Sequence, residues 1–211
     1  MDPEHEPDAG TMDEPVWRIA SRSRCYAYIV PCRDEDILKI GFSRDPLTRF
    51  HTLHARYFEF FDLERGALIE MDYVRDARRV ETMFKERFAE FRAPAPLVVP
   101  ESAAGHTEWY RGIYDDAIAN AEAIGVEYGF RLHTPLRAWL RAELERNDAL
   151  YDWSSKAYEI IEYEHFNAIE PSSGYARALR DALDAFEAVG LSLDDRVPEK
   201  VLAWRRFGFA A

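Results

Sequence analysis

Cysteine is scarce in this chain: Cys25 and Cys32 are the only two among 211 residues. Seven residues of extended chain hold them roughly 23 Å apart, well beyond disulfide reach, and strand alternation assigns them to opposite faces. Two reduced thiols in a cytoplasmic protein are the expectation. No Cys/His set has the spacing of a zinc site. Long apolar runs are missing as well, since no stretch of about 18 hydrophobic residues occurs, and a membrane partner is not expected. The first sixteen residues have neither a basic start nor an apolar stretch, so no signal peptide is expected. Their Asp, Glu, Pro and Gly content reads as a disordered acidic tail. No repeat of fixed period and no low-complexity run follows.

A surplus of positive charge is also absent. The formal net charge is −12, which opposes indiscriminate binding to a phosphate backbone. The charge is unevenly spread. Residues 1–16 carry six acids and no Lys or Arg, residues 17–114 carry sixteen basic against fifteen acidic side chains, and residues 115–211 carry eleven against eighteen. The middle segment is therefore close to neutral. Within it Arg18, Arg22 and Arg24 precede the first predicted strand, and Arg44, Arg49 and Arg56 flank or follow the second.

What is present is a well-stocked core, with 47% hydrophobic and 14% aromatic residues, enough for one large domain or two small ones. Tyr26–Val30 and Leu38–Ser43 read as strands, being short β-branched and aromatic runs bounded by Pro31 and Asp45-Pro46. Period 2 puts Ile37, Lys39, Gly41 and Ser43 on one face and Leu38, Ile40 and Phe42 on the other. The second face is core. The first carries a lysine, a glycine and a serine where a buried strand would carry valines, so a shallow, side-chain-poor surface is expected there, with Tyr26 and Tyr28 facing it. Gly41 in a strand interior marks a close approach by a ligand or another backbone.

Asp45 and Pro46 predict a helix start, which places Arg49 on a helix over about 45–55. Apolar runs at Tyr57–Phe61 and Leu63–Met71 read as two further strands. Val74 to Phe91 is a strong amphipathic helix. With Ala77 at zero and about 100° per residue, Val74, Val80, Phe84, Phe88 and Phe91 fall within about 60°. Glu81 falls at about 40°, inside the apolar stripe. A carboxylate there needs a partner, a hydrogen bond or a metal. Lys85 or Arg78 at helical spacing are the ordinary partners.

Tyr28, Lys39-Ile40-Gly41, Arg49, Glu81 and Glu108-Trp109-Tyr110, in this order and spacing, resemble the GIY-YIG nuclease superfamily. The likeness is to its small phage-associated branch, in which the second signature reads Lys-Ile-Gly. It covers roughly residues 23–114. Tyr26-Ala27-Tyr28 stands where the first signature stands, with only the last residue matching. Leu53 occupies the position where the family often has His or Tyr, and His51 and His54 lie beside it.

The resemblance implies a small antiparallel sheet flanked by helices, an α+β unit, over residues 17–114, behind the tail of 1–16. An acidic α-helical domain or extension over 115–211 follows from the helical patterns there, with Gly125 as the expected stop of the first. The implied activity is metal-dependent hydrolysis of phosphodiesters in nucleic acid, with DNA the expected polymer, by water attack with one Mg²⁺ or Mn²⁺. Glu81 would hold the metal and Arg49 the non-bridging oxygens. Tyr28 would take the proton from water, with Lys39 favouring the phenolate and His54 in a lesser catalytic role. Tyr26, Gly41, Ser43, Arg44 and His51 would contact the nucleic acid. The alternatives are a non-catalytic binding module on the same fold and a toxin-like nuclease restrained by a protein partner. The acidic C-terminal half is the expected docking region for any such partner, or a buttress of the first domain.

Overall fold

The computed structural model describes residues 24–103, 107–167 and 173–209. The acidic tail and Arg18 and Arg22 lie outside the described residues. The first two strands, β1 (Cys25–Pro31) and β2 (Ile37–Ser43), form an antiparallel hairpin in which Tyr28 faces Gly41 and Val30 faces Lys39. Its turn closes with the Cys32 amide donating to the Ile37 carbonyl, 2.8 Å, and with Asp34 at φ 63°, a left-handed position that Asp tolerates better than most residues.

This hairpin is the centre of a six-stranded, wholly antiparallel sheet. Strand β3 (Ala67–Met71) pairs with β1, and β6 (Arg131–His133) lies beyond it. On the other side β5 (Trp109–Arg111) pairs with β2, and the two-residue β4 (Arg92–Ala93) forms the edge. Helices α1 (Pro46–Leu53), α2 (Tyr57–Phe60), α3 (Val74–Arg87) and α4 (Tyr114–Tyr128) are interleaved with the strands. Four more follow: α5 (Leu136–Glu145), α6 (Leu150–Asn167), α7 (Ser173–Ala188) and α8 (Glu199–Phe207). The result is an α+β architecture with helices on both faces of the sheet.

Alternation along β1 and β2 divides the core in two. Ala27, Ile29, Leu38, Ile40 and Ile69 pack under α3 and α4, against Val80, Phe84, Ala117 and Ala121. Tyr26, Tyr28, Val30, Leu68 and Trp109 face the other way. They share one continuous core with Phe50 of α1 and with Leu140, Leu183 and Val201 of the C-terminal helices. Cys25 belongs to the first core and Cys32 to the second, and both are free, buried thiols.

Several local expectations are corrected. Tyr57–Phe60 is a helical turn and not a strand, and β3 begins at Ala67. Asp62 is the cause: its Oδ1 accepts from the Glu64 and Arg65 amides at 3.1 and 3.2 Å, which turns the chain before a strand can start. Helix α4 runs through Gly125 and stops at Gly129, whose φ of 69° is the left-handed cap. Helix α3 ends at Arg87, so Phe91 leaves the apolar stripe for a short 3-10 turn and is half exposed. The C-terminal part is not purely helical, because β6 completes the sheet.

The acidic half is tied to the first by ion pairs. Arg56, just before α2, meets Glu59 at 2.6 Å, Asp184 of α7 at 2.8 Å, and Asp181 of α7. Arg205 of α8 meets the same Asp184 at 2.5 Å and Glu187 at 2.6 Å.

Candidate active site

Tyr28 reaches its position because Gly41 stands opposite it across the hairpin. A Cβ on Gly41 would lie 2.4 Å from the Tyr28 hydroxyl oxygen, so only glycine leaves room for the phenol. The close approach expected at Gly41 is therefore that of a side chain from the neighbouring strand, not of a ligand. Tyr28 is 1% exposed and stacks edge-on against Phe50.

Arg49 comes from α1, whose start is fixed by Asp45: its Oδ1 accepts from the Thr48 amide at 3.0 Å, and Pro46 opens the first turn. Ser43 ties the end of β2 to that cap, its hydroxyl donating to the Asp45 carbonyl at 2.9 Å and accepting from the Asp45 amide at 3.0 Å. One turn into the helix, Arg49 Nε donates to the Tyr28 hydroxyl at 3.4 Å, and Nη1 donates to the Ala103 carbonyl.

Lys39 lies on the same sheet face as Tyr28 and is fully buried. Its Nζ donates to Glu108 Oε2 at 3.2 Å and sits 5.2 Å from the centre of the Trp109 ring. Glu108 also accepts from Lys85 at 3.1 Å and from the Thr107 hydroxyl at 2.9 Å, both on Oε1. Lys85 in turn meets Glu81 at 3.0 Å, one helical turn back along α3. A ladder of alternating charge thus runs from Glu81 at the protein edge through Lys85 and Glu108 to the buried Lys39. Glu81 faces partly inward, its side chain 15% exposed, and its partner is the ordinary one at helical spacing.

The electrostatics follow from burial and these contacts. Burial pushes the Tyr28 hydroxyl above its ordinary range; Arg49 opposes this, while Glu108 and Glu81 add to it. Lys39 falls from 10.5 to about 8, because burial outweighs the support of Glu108, and Arg49 also lowers it. Burial raises Glu108, but Lys39, Thr107 and Lys85 more than offset that and hold it at about 2. Burial lowers Lys85, but its hydrogen bonds to Glu81 and Glu108 outweigh that and leave it raised. The Lys39–Glu108 pair is therefore lopsided. The carboxylate gains from the pairing at the protein edge, whereas the ammonium remains too dry to break even.

Two corrections result. The face bearing Tyr28 and Lys39 is closed rather than shallow, because α1 and the C-terminal helices cover the apolar side chains that share it. The cation beside the Tyr28 hydroxyl is Arg49, and Lys39 is engaged with Glu108 instead.

The remaining residues have other occupations. His54 ends α1: its ring stacks on Phe60 at 4.7 Å between centres and its Nδ1 accepts from the Arg56 amide at 3.2 Å, fixing the turn into α2. His51 is exposed on α1 and lines a separate groove of about 780 Å³ with Tyr57, Trp153 and Phe186. Tyr26 is 5% exposed, its ring edge-on to Trp139 at 5.1 Å, so α5 covers most of the phenol. Arg44 is exposed and, with Arg24, Glu143 and Arg146, lines a cleft of about 500 Å³ at the Tyr26 end of the hairpin.

The sequence pattern gives Glu108 no role beyond its motif. The available signal was the buried Lys39 itself, which needs a carboxylate. The Ala103 carbonyl on Arg49 had no sequence signal, since any residue supplies one.

Among the described residues no group of three or more His, Cys, Asp or Glu side chains converges as a metal site. No curated protein and no solved structure matches the chain. Residues 25–125, from the first residue of β1 into α4, match the family model of the T5orf172 domain, which lies within the broader GIY-YIG nuclease-associated superfamily.

Proposed function

We propose that the protein is a metal-dependent endonuclease that hydrolyses phosphodiester bonds, with DNA as substrate, and that it belongs with the Lys-Ile-Gly branch of the superfamily. The observation that carries this reading is the contact of Arg49 with the Tyr28 hydroxyl, beside the ladder that joins Lys39, Glu108, Lys85 and Glu81.

The residues fit a cation carried by one or two carboxylates, not an all-protein cage. Lys85 already seats a positive charge between Glu81 and Glu108, at 3.0 and 3.1 Å, and Mg²⁺ is commonly held by one or two carboxylates with water and substrate phosphate completing the shell. Glu81 would hold it. When bound, Mg²⁺ or Mn²⁺ supplies Lewis acidity and offsets charge on the leaving oxygen.

Within the chain's own residues, Arg49 contacts the non-bridging oxygens in the planar geometry that guanidinium suits. Tyr28 orients the attacking water and takes its proton once ionised. Burial opposes that ionisation and Arg49 favours it. Arg44, in the cleft lined by Arg24 and Arg146, takes phosphates flanking the scissile one. The acidic helices buttress the sheet and spend part of their charge on Arg56 and Arg205.

The test is cleavage of supercoiled plasmid with Mg²⁺ by the intact protein and by Glu81→Ala at matched folding. Nicking by the first and none by the second is expected; equal cleavage by both removes the metal role. One observation favours a second reading, a nucleic-acid-binding module without catalysis: Tyr28 and Lys39 are 1% and 0% exposed. Tight DNA binding with no cleavage under any divalent metal is the outcome that selects it.

A further inference from the structure

Trp139 and Trp204 are core residues, but Trp153 of α6 is exposed. It lines the groove of about 780 Å³ between α1 and α2 on one side and the C-terminal helices on the other. That volume is ordinary for a ligand pocket, roughly 300–1,000 Å³. Leu47 and Phe186 make the walls apolar, and Thr48 and His51 of α1 add polar groups. Tyr57 lines the same groove. It is 3% exposed, and its hydroxyl has no hydrogen-bond partner among the described residues. A buried phenol hydroxyl ordinarily has one, so an orphaned one on a groove wall points to a ligand.

The groove adjoins the cleft that holds Arg24, Arg44 and Arg146, because Leu47 and Asn147 line both. Asp45 and Glu143 also line that cleft. Arg24 pairs with Glu70 at 3.3 Å and Arg146 with Glu143 at 2.5 Å, but both guanidiniums are exposed. Exposed pairs hold weakly, which lets the guanidinium turn to a phosphate. Asp181, the one carboxylate lining the groove among the described residues, is engaged by Arg56. An aromatic slot beside an arginine-lined cleft matches the two ends of a nucleotide, a flat base and an anionic phosphate.

We propose that the groove takes the base of an unpaired nucleotide in a DNA strand, stacked on Trp153 and hydrogen-bonded to Tyr57, with its phosphates in the arginine cleft. The choice of a strand over a free nucleotide rests on the nuclease reading above and on α1. Leu47, Thr48 and His51 of this helix line the groove, while Arg49 among them turns to Tyr28. One helix therefore separates the slot from the candidate active site. The slot itself rests on the groove, the cleft and the orphaned hydroxyl.

The experiment measures binding by the full chain without divalent metal, with a short fluorescein-labelled oligothymidylate as the probe. An abasic strand of equal length and free dTMP are the comparisons. The oligothymidylate should bind at least about tenfold more tightly than the abasic strand. Trp153→Ala should remove about tenfold of its affinity; this side chain is exposed, so the fold does not depend on it. Tyr57→Phe, which removes only the orphaned hydroxyl, should weaken binding about threefold. Equal affinity for the two strands, or unchanged affinity in either variant, overturns the proposal. Binding of dTMP as tight as that of the strand assigns the groove to a free nucleotide and overturns it as well. Absence of plasmid cleavage by the wild type with Mg²⁺ removes the nuclease reading, and the metal-free titrations still decide the slot.

Discussion

Lys39→Met is expected to make the protein more stable. Lys39 is fully buried, and its titration falls from 10.5 to about 8 on folding. At about 1.36 kcal/mol per pH unit, the folded state near neutrality carries roughly 3 kcal/mol of penalty for the charged form. The sign follows from proton counting. The folded pKa is depressed, so between pH 8 and 10.5 the unfolded chain binds more protons, and stability rises with pH across that window. Methionine has nearly the same length and no charge to desolvate. It costs the Lys39–Glu108 hydrogen bond, but Glu108 keeps Lys85 at 3.1 Å and Thr107 at 2.9 Å. Subtracting about 1–2 kcal/mol for that loss leaves a net gain of about 1–2 kcal/mol at pH 7. For a chain of this size that is a rise of about 3–6 °C in Tm. The assay is thermal unfolding by circular dichroism at pH 7 and pH 10, where the gap should shrink as wild-type Lys39 loses its proton. A lower Tm for Lys39→Met at pH 7, or a gap independent of pH, would refute the reasoning.

Three other perturbations probe the structure around the site. Gly41→Ala places a Cβ 2.4 Å from the Tyr28 hydroxyl oxygen, so the phenol must move; about 1–3 kcal/mol of stability should be lost and cleavage should fall at least tenfold, measured by denaturant titration and plasmid assay. Arg56→Ala leaves Asp181 and Asp184 short of one partner, and a loss of about 1–2 kcal/mol is expected, with the difference from wild type narrowing at high salt. Truncation after Glu127 removes β6 and the helices covering Tyr26, Tyr28 and Val30; the fragment should bind a hydrophobic dye, lose cooperative unfolding and gain no nuclease activity, whereas a folded, faster-cleaving fragment would show that these helices restrain the site.

Much of the site's scaffold is legible in the sequence. The β1–β2 hairpin announces itself in two short β-branched and aromatic runs, and period 2 already places Tyr28 and Lys39 on one face. Asp45-Pro46 marks the start of α1 and thereby the height of Arg49. The amphipathic stripe of α3 shows Glu81 turned partly inward. What could not be read depends on distant partners. Tyr57–Phe61 is apolar at nearly every position, so it lacks the alternation that separates strand from helix, and the Asp62 turn decides the matter. Three residues of β6 are too few to show a period, and their pairing partner lies more than sixty residues away. The burial of Lys39 is equally non-local: alternation shows which face it occupies, but not that helices beyond residue 135 will cover the apolar neighbours on that face.

The strand order carries a consequence for synthesis. Among the described residues the central hairpin is made first; β3 then adds beside β1, β5 adds beside β2 and brings the earlier-made β4 in as its outer edge, and β6 closes the far edge at residue 133. The sheet face with Tyr26, Tyr28 and Val30 then still lacks its cover, because α5–α8 extend from Leu136 to Phe207. At about 5–20 residues per second, those helices take roughly 4–14 s to emerge. For that interval the nascent chain presents an apolar sheet surface to its surroundings, and the same coverage that later buries Tyr28 is what ends the exposure.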